Sequence, residues 1–137
     1  MNEKFGWDIT WLVHNQVILL HMWGDFKQAR PQTAKDLDLE VTSYFEQSIS
    51  ESIHVLSDFT DMKSFPSLSL VLELRGARSS KAGWFVAYPQ SSLFFEKIMQ
   101  FAARVTGFKL HYVESLEAAI DFLKENDPQL SDMSPYE

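Results

Sequence analysis

Apolar and polar positions change places nearly every second residue at the start of the chain. Trp7, Ile9, Trp11 and Val13 alternate with Asp8, Thr10 and Leu12, which is mostly the period of a half-buried strand. His14, Asn15 and Gln16 make a polar turn before a second apolar run, Val17 to Trp23. So short a connection predicts an antiparallel hairpin. Gly24 and Asp25 end the hairpin, and the stretch through Pro31 reads as loop. From Thr33 the period lengthens, with Leu37, Val41, Tyr44, Phe45 and Ser48 falling on one face of a helix. The spacing predicts a helix over Thr33 to Ile49.

From about residue 54 three β-rich runs, His54 to Phe59, Trp84 to Tyr88 and Lys109 to Val113, alternate with helical segments. Alternation of this kind predicts parallel strands joined by crossovers. The first strand is expected over Ile53 to Phe59, with Asp58, Thr60 and Asp61 supplying turn and cap chemistry at its end. Ser67 to Arg75 fits two periods: Leu68, Leu70, Leu72 and Leu74 alternate, while Leu68, Val71, Leu72 and Arg75 suit a helix. The helix is preferred, because a crossover is needed and Pro66 is tolerated in a first turn. Gly76 is placed at its end, and Ala77 to Lys81 in a loop.

Trp84 to Tyr88 is continuously apolar, as in a strand covered on both faces. After Pro89, Ser91 or Ser92 caps a helix whose apolar stripe is read as Phe94, Ile98, Phe101, Ala102 and Val105, closed by Gly107. Phe108 to Val113 is the last strand. Ser115 caps a final helix carrying Leu116, Ala119, Ile120 and Leu123, which Asn126 and Pro128 stop. The pattern specifies an α/β domain with a mixed sheet: an N-terminal antiparallel hairpin, then parallel strands, with helices packed on the sheet. One domain is expected over residues 1–126, with residues 127–137 as a fraying tail.

Composition narrows the class of function. A formal charge of −7 argues against nucleic acid, whose phosphates call for a basic face. With no cysteine there is no disulfide framework and no thiolate nucleophile or metal ligand, which fits a reducing, cytoplasmic setting. No apolar run approaches the length of a membrane span, and Met1 to Gly6 lacks a signal-peptide pattern. No cofactor is implied.

Five groups of residues invite chemistry, each beside an ordinary reading. His14, His21, His54 and His111 share no helical spacing. Four residues of strand span about 13 Å, so His54 and Asp58 cannot share one ion there, and local hydrogen bonding is the simpler role. Asp58 and Asp61 follow a parallel strand at the end where α/β sites form, but turns and caps favour the same residues. Gly83 and the run Arg75, Gly76, Ala77, Arg78 match no glycine-rich phosphate motif; the arginines read as a basic surface rim. Ser64, Ser67 and Ser69 lie near a helix start, where a phosphoserine is physically allowed and a capping role is common. The hairpin aromatics Trp7, Trp11 and Trp23 suit a core, a pocket wall or a dimer face.

The order of elements, with Val55 to Phe59 leading into Ser67 and Leu68, and Leu110 to Leu123 reading LHYVESLEAAIDFL, resembles the STAS family, which includes the bacterial anti-sigma-factor antagonists. The resemblance runs from about Trp7 to Lys124. It implies a non-enzymatic regulatory or protein-interaction module whose site lies where a strand ending near an aspartate meets a helix bearing a phosphorylatable residue. Here those positions are Asp58, Asp61, Ser64 and Ser67. The chain has Ser64-Phe65-Pro66-Ser67 in place of the antagonists' Asp-Ser-Ser-Gly type of motif. The closing pattern also resembles lipid-associated STAS-like domains, in which an apolar cavity is the functional feature. That reading implies a carrier or sensor of a small apolar ligand, with Trp84, Phe85, Phe94 and Phe95 around the cavity. A protein partner is expected in the first case and a homodimer is compatible with both. An enzyme built on Asp58 with His54 or His111 requires those side chains to meet in one cleft.

Overall fold

The computed structural model describes residues 5–26, 31–48, 52–65, 67–74, 79–89 and 93–130. Five strands lie side by side in the order of the chain. Strands β1 (Phe5–Val13) and β2 (Val17–Asp25) form the antiparallel hairpin, and Asn15 takes the left-handed conformation in its turn at φ 65°. Asparagine tolerates that region better than most residues. Strands β3 (Ile53–Ser64), β4 (Ala82–Tyr88) and β5 (Lys109–Tyr112) each add in parallel. The mixed sheet and its covering helices are thus the architecture that the pattern predicts.

Each parallel step needs a crossover, and the helices supply them. Helix α1 (Pro31–Gln47) joins β2 to β3, α2 (Leu68–Glu73) joins β3 to β4, and α3 (Leu93–Thr106) joins β4 to β5. All three contribute to one core, where Val41 and Phe45 of α1, Val71 of α2, and Phe95 and Ala102 of α3 meet Ile18, Leu20, Ile53 and Val55 of the sheet. Helix α4 (Leu116–Asn126) follows β5 and covers the opposite face, packing Ala119, Ile120 and Leu123 on Val17, Leu56 and Val86. Strand alternation explains the split, since Val55 and Leu56 must face opposite ways.

Several expectations change. Strand β3 runs on to Ser64 rather than stopping at Phe59, so Asp58 and Asp61 lie within a strand and not in a turn after it. Parallel pairing with β2 continues through Trp23–Asp61 and Asp25–Ser64, and this supports the extra residues. Helix α2 is shorter than Ser67 to Arg75; Ser67 is its cap, accepting from the Leu70 amide at 3.4 Å. In α3 the inward residues are Phe95, Ile98, Met99 and Ala102, while Phe94, Phe101 and Val105 face solvent. Only Ile98 and Ala102 of the expected stripe point inward, because the true stripe is turned about the axis by roughly 65°, less than the ~100° of one residue.

The tail boundary also moves. Asp127 caps α4 through its amide to the Leu123 carbonyl, and Pro128–Leu130 forms a 3₁₀ turn that buries Leu130. Residues 127–130 therefore pack with the fold; residues 131–137 lie outside the described residues. So do the basic rim at Arg75 and Arg78, Gly76, and the caps Ser91 and Ser92.

Candidate functional site

The core beneath α1, α2 and α3 is not filled. A cavity of about 130 Å³ lies between these helices and the sheet, walled by Leu20, Met22, Val41, Val55, Phe59, Met62, Phe65, Val71, Phe85, Phe95, Met99 and Phe108 among others. Of its lining residues only Asp38 and Ser57 are polar. Enclosed apolar cavities of about this volume are known to stay dry and to accept a small hydrocarbon. Three phenyl rings form one wall: Phe65 stacks on Phe95 with centroids 4.4 Å apart, and Phe59 meets both edge-on.

The cavity opens toward a surface groove between α1 and α2. Ala34, Asp38, Leu70 and Leu74 line both spaces, and the groove adds the polar side chains of Gln32, Lys35 and Glu73. An apolar interior thus leads to a polar mouth. Four aromatics are expected around the cavity, and two are there. Phe85 and Phe95 line it. Trp84 faces the other side of the sheet, edge-on to Phe122 of α4 at 4.8 Å, because it neighbours Phe85 on an alternating strand. Phe94 is 76 % exposed on the outside of α3.

The end of β3 carries the other candidate residues. Phe59, Met62 and Phe65 face the cavity. Between them, Asp61 receives a hydrogen bond from His21 on β2 at 2.8 Å, and Ser64 donates one to Asp25. Asp58 accepts from the Thr60 amide at 2.9 Å, and its strand partners are His21 and Tyr88. Burial, with the Asp58 carboxylate second, pushes the Tyr88 phenol above its ordinary range. Ser67 is taken up as a cap and also contacts the Ser69 hydroxyl at 3.3 Å. One strand segment therefore lines the cavity with one set of side chains and displays carboxylates and hydroxyls with the other.

His54 is buried at the opposite end of β3. The Trp84 amide donates to its Nδ1 at 2.9 Å, and its Nε2 lies 2.8 Å from an Asp127 carboxylate oxygen. Accepting at Nδ1 leaves Nε2 as the protonated nitrogen, so the imidazole is neutral and both nitrogens are engaged. This bond replaces a rung of the ladder, and the β3–β4 register shifts there between Ile53 and Val55. A Cβ on Gly83 would stand 2.5 Å from the same Nδ1. Gly83 is thus required by the histidine's ring and not by a phosphate. His111 stacks on Phe122 with centroids 3.9 Å apart, on the α4 side. Neither histidine meets Asp58 in a cleft.

The hairpin aromatics are structural. Trp7 donates to Glu40 of α1 at 3.0 Å, Trp11 packs on Tyr44 at 5.3 Å, and Trp23 lies over Gly6, where a Cβ would come within 2.7 Å of the indole. Among the described residues no cluster of metal-ligating side chains occurs, and no helix is long and apolar enough to cross a membrane.

No protein-family model and no curated protein matches the sequence. The structure is similar to the crystal structure of an uncharacterized protein of the DUF3478 family from Shewanella loihica PV-4, described as having a SpoIIAA-like fold. The TM-score is 0.63 at 14% identity, over 90% of this chain and 98% of that one. The chain therefore has the SpoIIAA-like, STAS-type fold that its element order resembles. At that identity the likeness concerns architecture alone.

Proposed function

We propose that this chain is a non-enzymatic, STAS-type regulatory module that binds a small apolar ligand beneath α2 and presents the end of β3 to a protein partner. The apolar cavity of about 130 Å³ carries the reading. A natural core is close-packed, and a void of this size forfeits dispersion contacts unless something fills it. The polar mouth between α1 and α2 gives a ligand a way in. Phe59, Met62 and Phe65 would sense occupancy, and Asp58, Asp61 and Ser64 on the same segment would carry the change to the surface. A cytoplasmic partner protein fits this arrangement. The engaged nitrogens of His54 and the separation of His111 from Asp58 favour a binding role over an enzymatic one.

Toluene provides a direct probe. Titrating it into isotopically labelled protein is expected to shift the methyl resonances of Leu20, Val55 and Val71 while leaving Ile120 and Leu123 in place. Ala34→Leu, which puts a branched side chain into the cavity wall, is expected to abolish those shifts. Unchanged methyls at saturation, or equal shifts in the variant, count against the ligand site. For the partner surface, Ser64→Asp places a second carboxylate against Asp25. If native mass spectrometry of complexes from cells finds the same partner bound equally by Ser64→Asp and wild type, that surface is wrong.

A further inference from the structure

Four of the exposed large apolar side chains lie on one helix: Leu93 at 77 %, Phe94 at 76 %, Phe101 at 44 % and Val105 at 58 % exposure, all on α3. Neither the core nor the cavity uses them. Lys97 and Arg104 are exposed on the same side. In heptad lettering Phe94 and Phe101 occupy a, and Lys97 and Arg104 occupy d. Arg104 already stands over the Phe101 ring of its own chain, 6.0 Å from the centroid, so cation and ring are compatible neighbours here.

That alternation selects an occupant. A parallel copy of the helix would set a on a and d on d, pressing cation against cation. An antiparallel copy sets a on d instead. About a two-fold axis level with Met99, Phe94 meets Arg104 of the second copy and Phe101 meets Lys97, and both pairings then recur by symmetry. Each ring finds a cation and no cation faces another. Leu93 and Val105 extend the contact at its two ends. An anionic bilayer would satisfy the two cations, but the chain as a whole carries −7 and would be repelled by it. We propose that α3 is a homodimer surface, packed antiparallel against α3 of a second copy with each cation seated on the other copy's phenyl ring.

A seam of one 14-residue helix is smaller than the surface of about 800 Å² per partner found in stable complexes, so the dimer dissociates on dilution. Its dissociation constant is expected on the order of 100 µM. Sedimentation velocity from about 10 µM to about 1 mM spans that range. The wild type is expected to move from monomer to dimer across it. Phe101→Lys, which sets Lys on Lys, is expected to weaken association by about tenfold or more, as is Lys97→Glu. The decisive variant is the double exchange Phe101→Lys with Lys97→Phe, which restores ring on cation in this register only. Its dissociation constant should return to within about threefold of wild type. All three changes lie on the exposed face, and thermal melts coinciding with wild type verify folding. A wild type monomeric throughout overturns the proposal, whether or not an acidic amphipathic peptide or anionic vesicles bind instead. So does a double exchange that stays as weak as Phe101→Lys alone.

Discussion

The two faces of the sheet are built to different tolerances. On the α4 side Ala119, Ile120 and Leu123 are within 2 % of complete burial, and the buried His54 is paired with both Trp84 and Asp127. On the side of α1, α2 and α3 a cavity remains, and the Tyr112 hydroxyl, which packs on that side, is buried without a hydrogen-bond partner among the described residues. Both faces use the same kinds of apolar residue. What separates them is space, and space left in a core is where a ligand and a conformational response can be accommodated.

The largest effect should come from the tight side. His54→Ala strips a ring from a buried site and leaves the Trp84 amide and Asp127 without their partner, at a cost of about 3 kcal/mol in urea unfolding. A loss below about 1 kcal/mol would mean that the α4 side is as loose as the other. Next comes one substitution made on both faces. Ala119→Leu overpacks a fully buried position and should cost about 2 kcal/mol. Ala34→Leu, at the cavity wall, should change stability by less than about 0.5 kcal/mol or raise it. Equal losses in the two unfolding curves would erase the contrast.

Smaller effects follow from the tyrosines. Burial, with Asp58 or Glu96 second, raises the phenols of Tyr88 and Tyr112 in the folded state. A group whose folded pKa is raised contributes stability that is complete below its unfolded pKa, here about 10, and that falls as pH rises beyond it. Unfolding curves taken at increasing alkaline pH should show that fall, and Tyr112→Phe should lessen it. At neutral pH Tyr112→Phe removes an unpartnered hydroxyl and should leave stability unchanged or raise it by up to about 1 kcal/mol. The smallest effect belongs to Asp61→Ala, below about 0.5 kcal/mol. His21–Asp61 has the same 2.8 Å separation as His54–Asp127, but the Asp61 side chain is 59% exposed against 20% for Asp127. Distance alone would rank the two pairs together; solvent separates them.

Much of this architecture was legible in residue order. Period-two alternation at Trp7 to Val13 marked the hairpin, and the continuous run Trp84 to Tyr88 marked a central strand, because both signals are local. The end of β3 was hidden because Thr60 to Ser64 is polar in sequence apart from Met62 and is held extended by its pairing with β2, a contact the local pattern does not contain. The inward stripe of α3 escapes the local pattern for a related reason: Phe94 and Phe95 are equally apolar, and only the neighbouring sheet decides which turns in. The cavity was half legible. Phe85 and Phe95 stood out as aromatics, whereas Leu20, Val55 and Val71 look like any core residues, and empty space has no sequence signature. Asp127 reads as tail in the sequence because its partner lies 73 residues away.

That last separation also has a consequence for biosynthesis. At 5–20 residues per second, the ribosome needs about 4 to 15 s to make the 73 residues between His54 and Asp127. During that interval β3 and β4 can pair, but the imidazole waits for its carboxylate and the face that α4 will cover stays open. The α4 face of the nascent sheet therefore closes after the strands beneath it, and it is in those seconds that its apolar residues would most need a chaperone's protection.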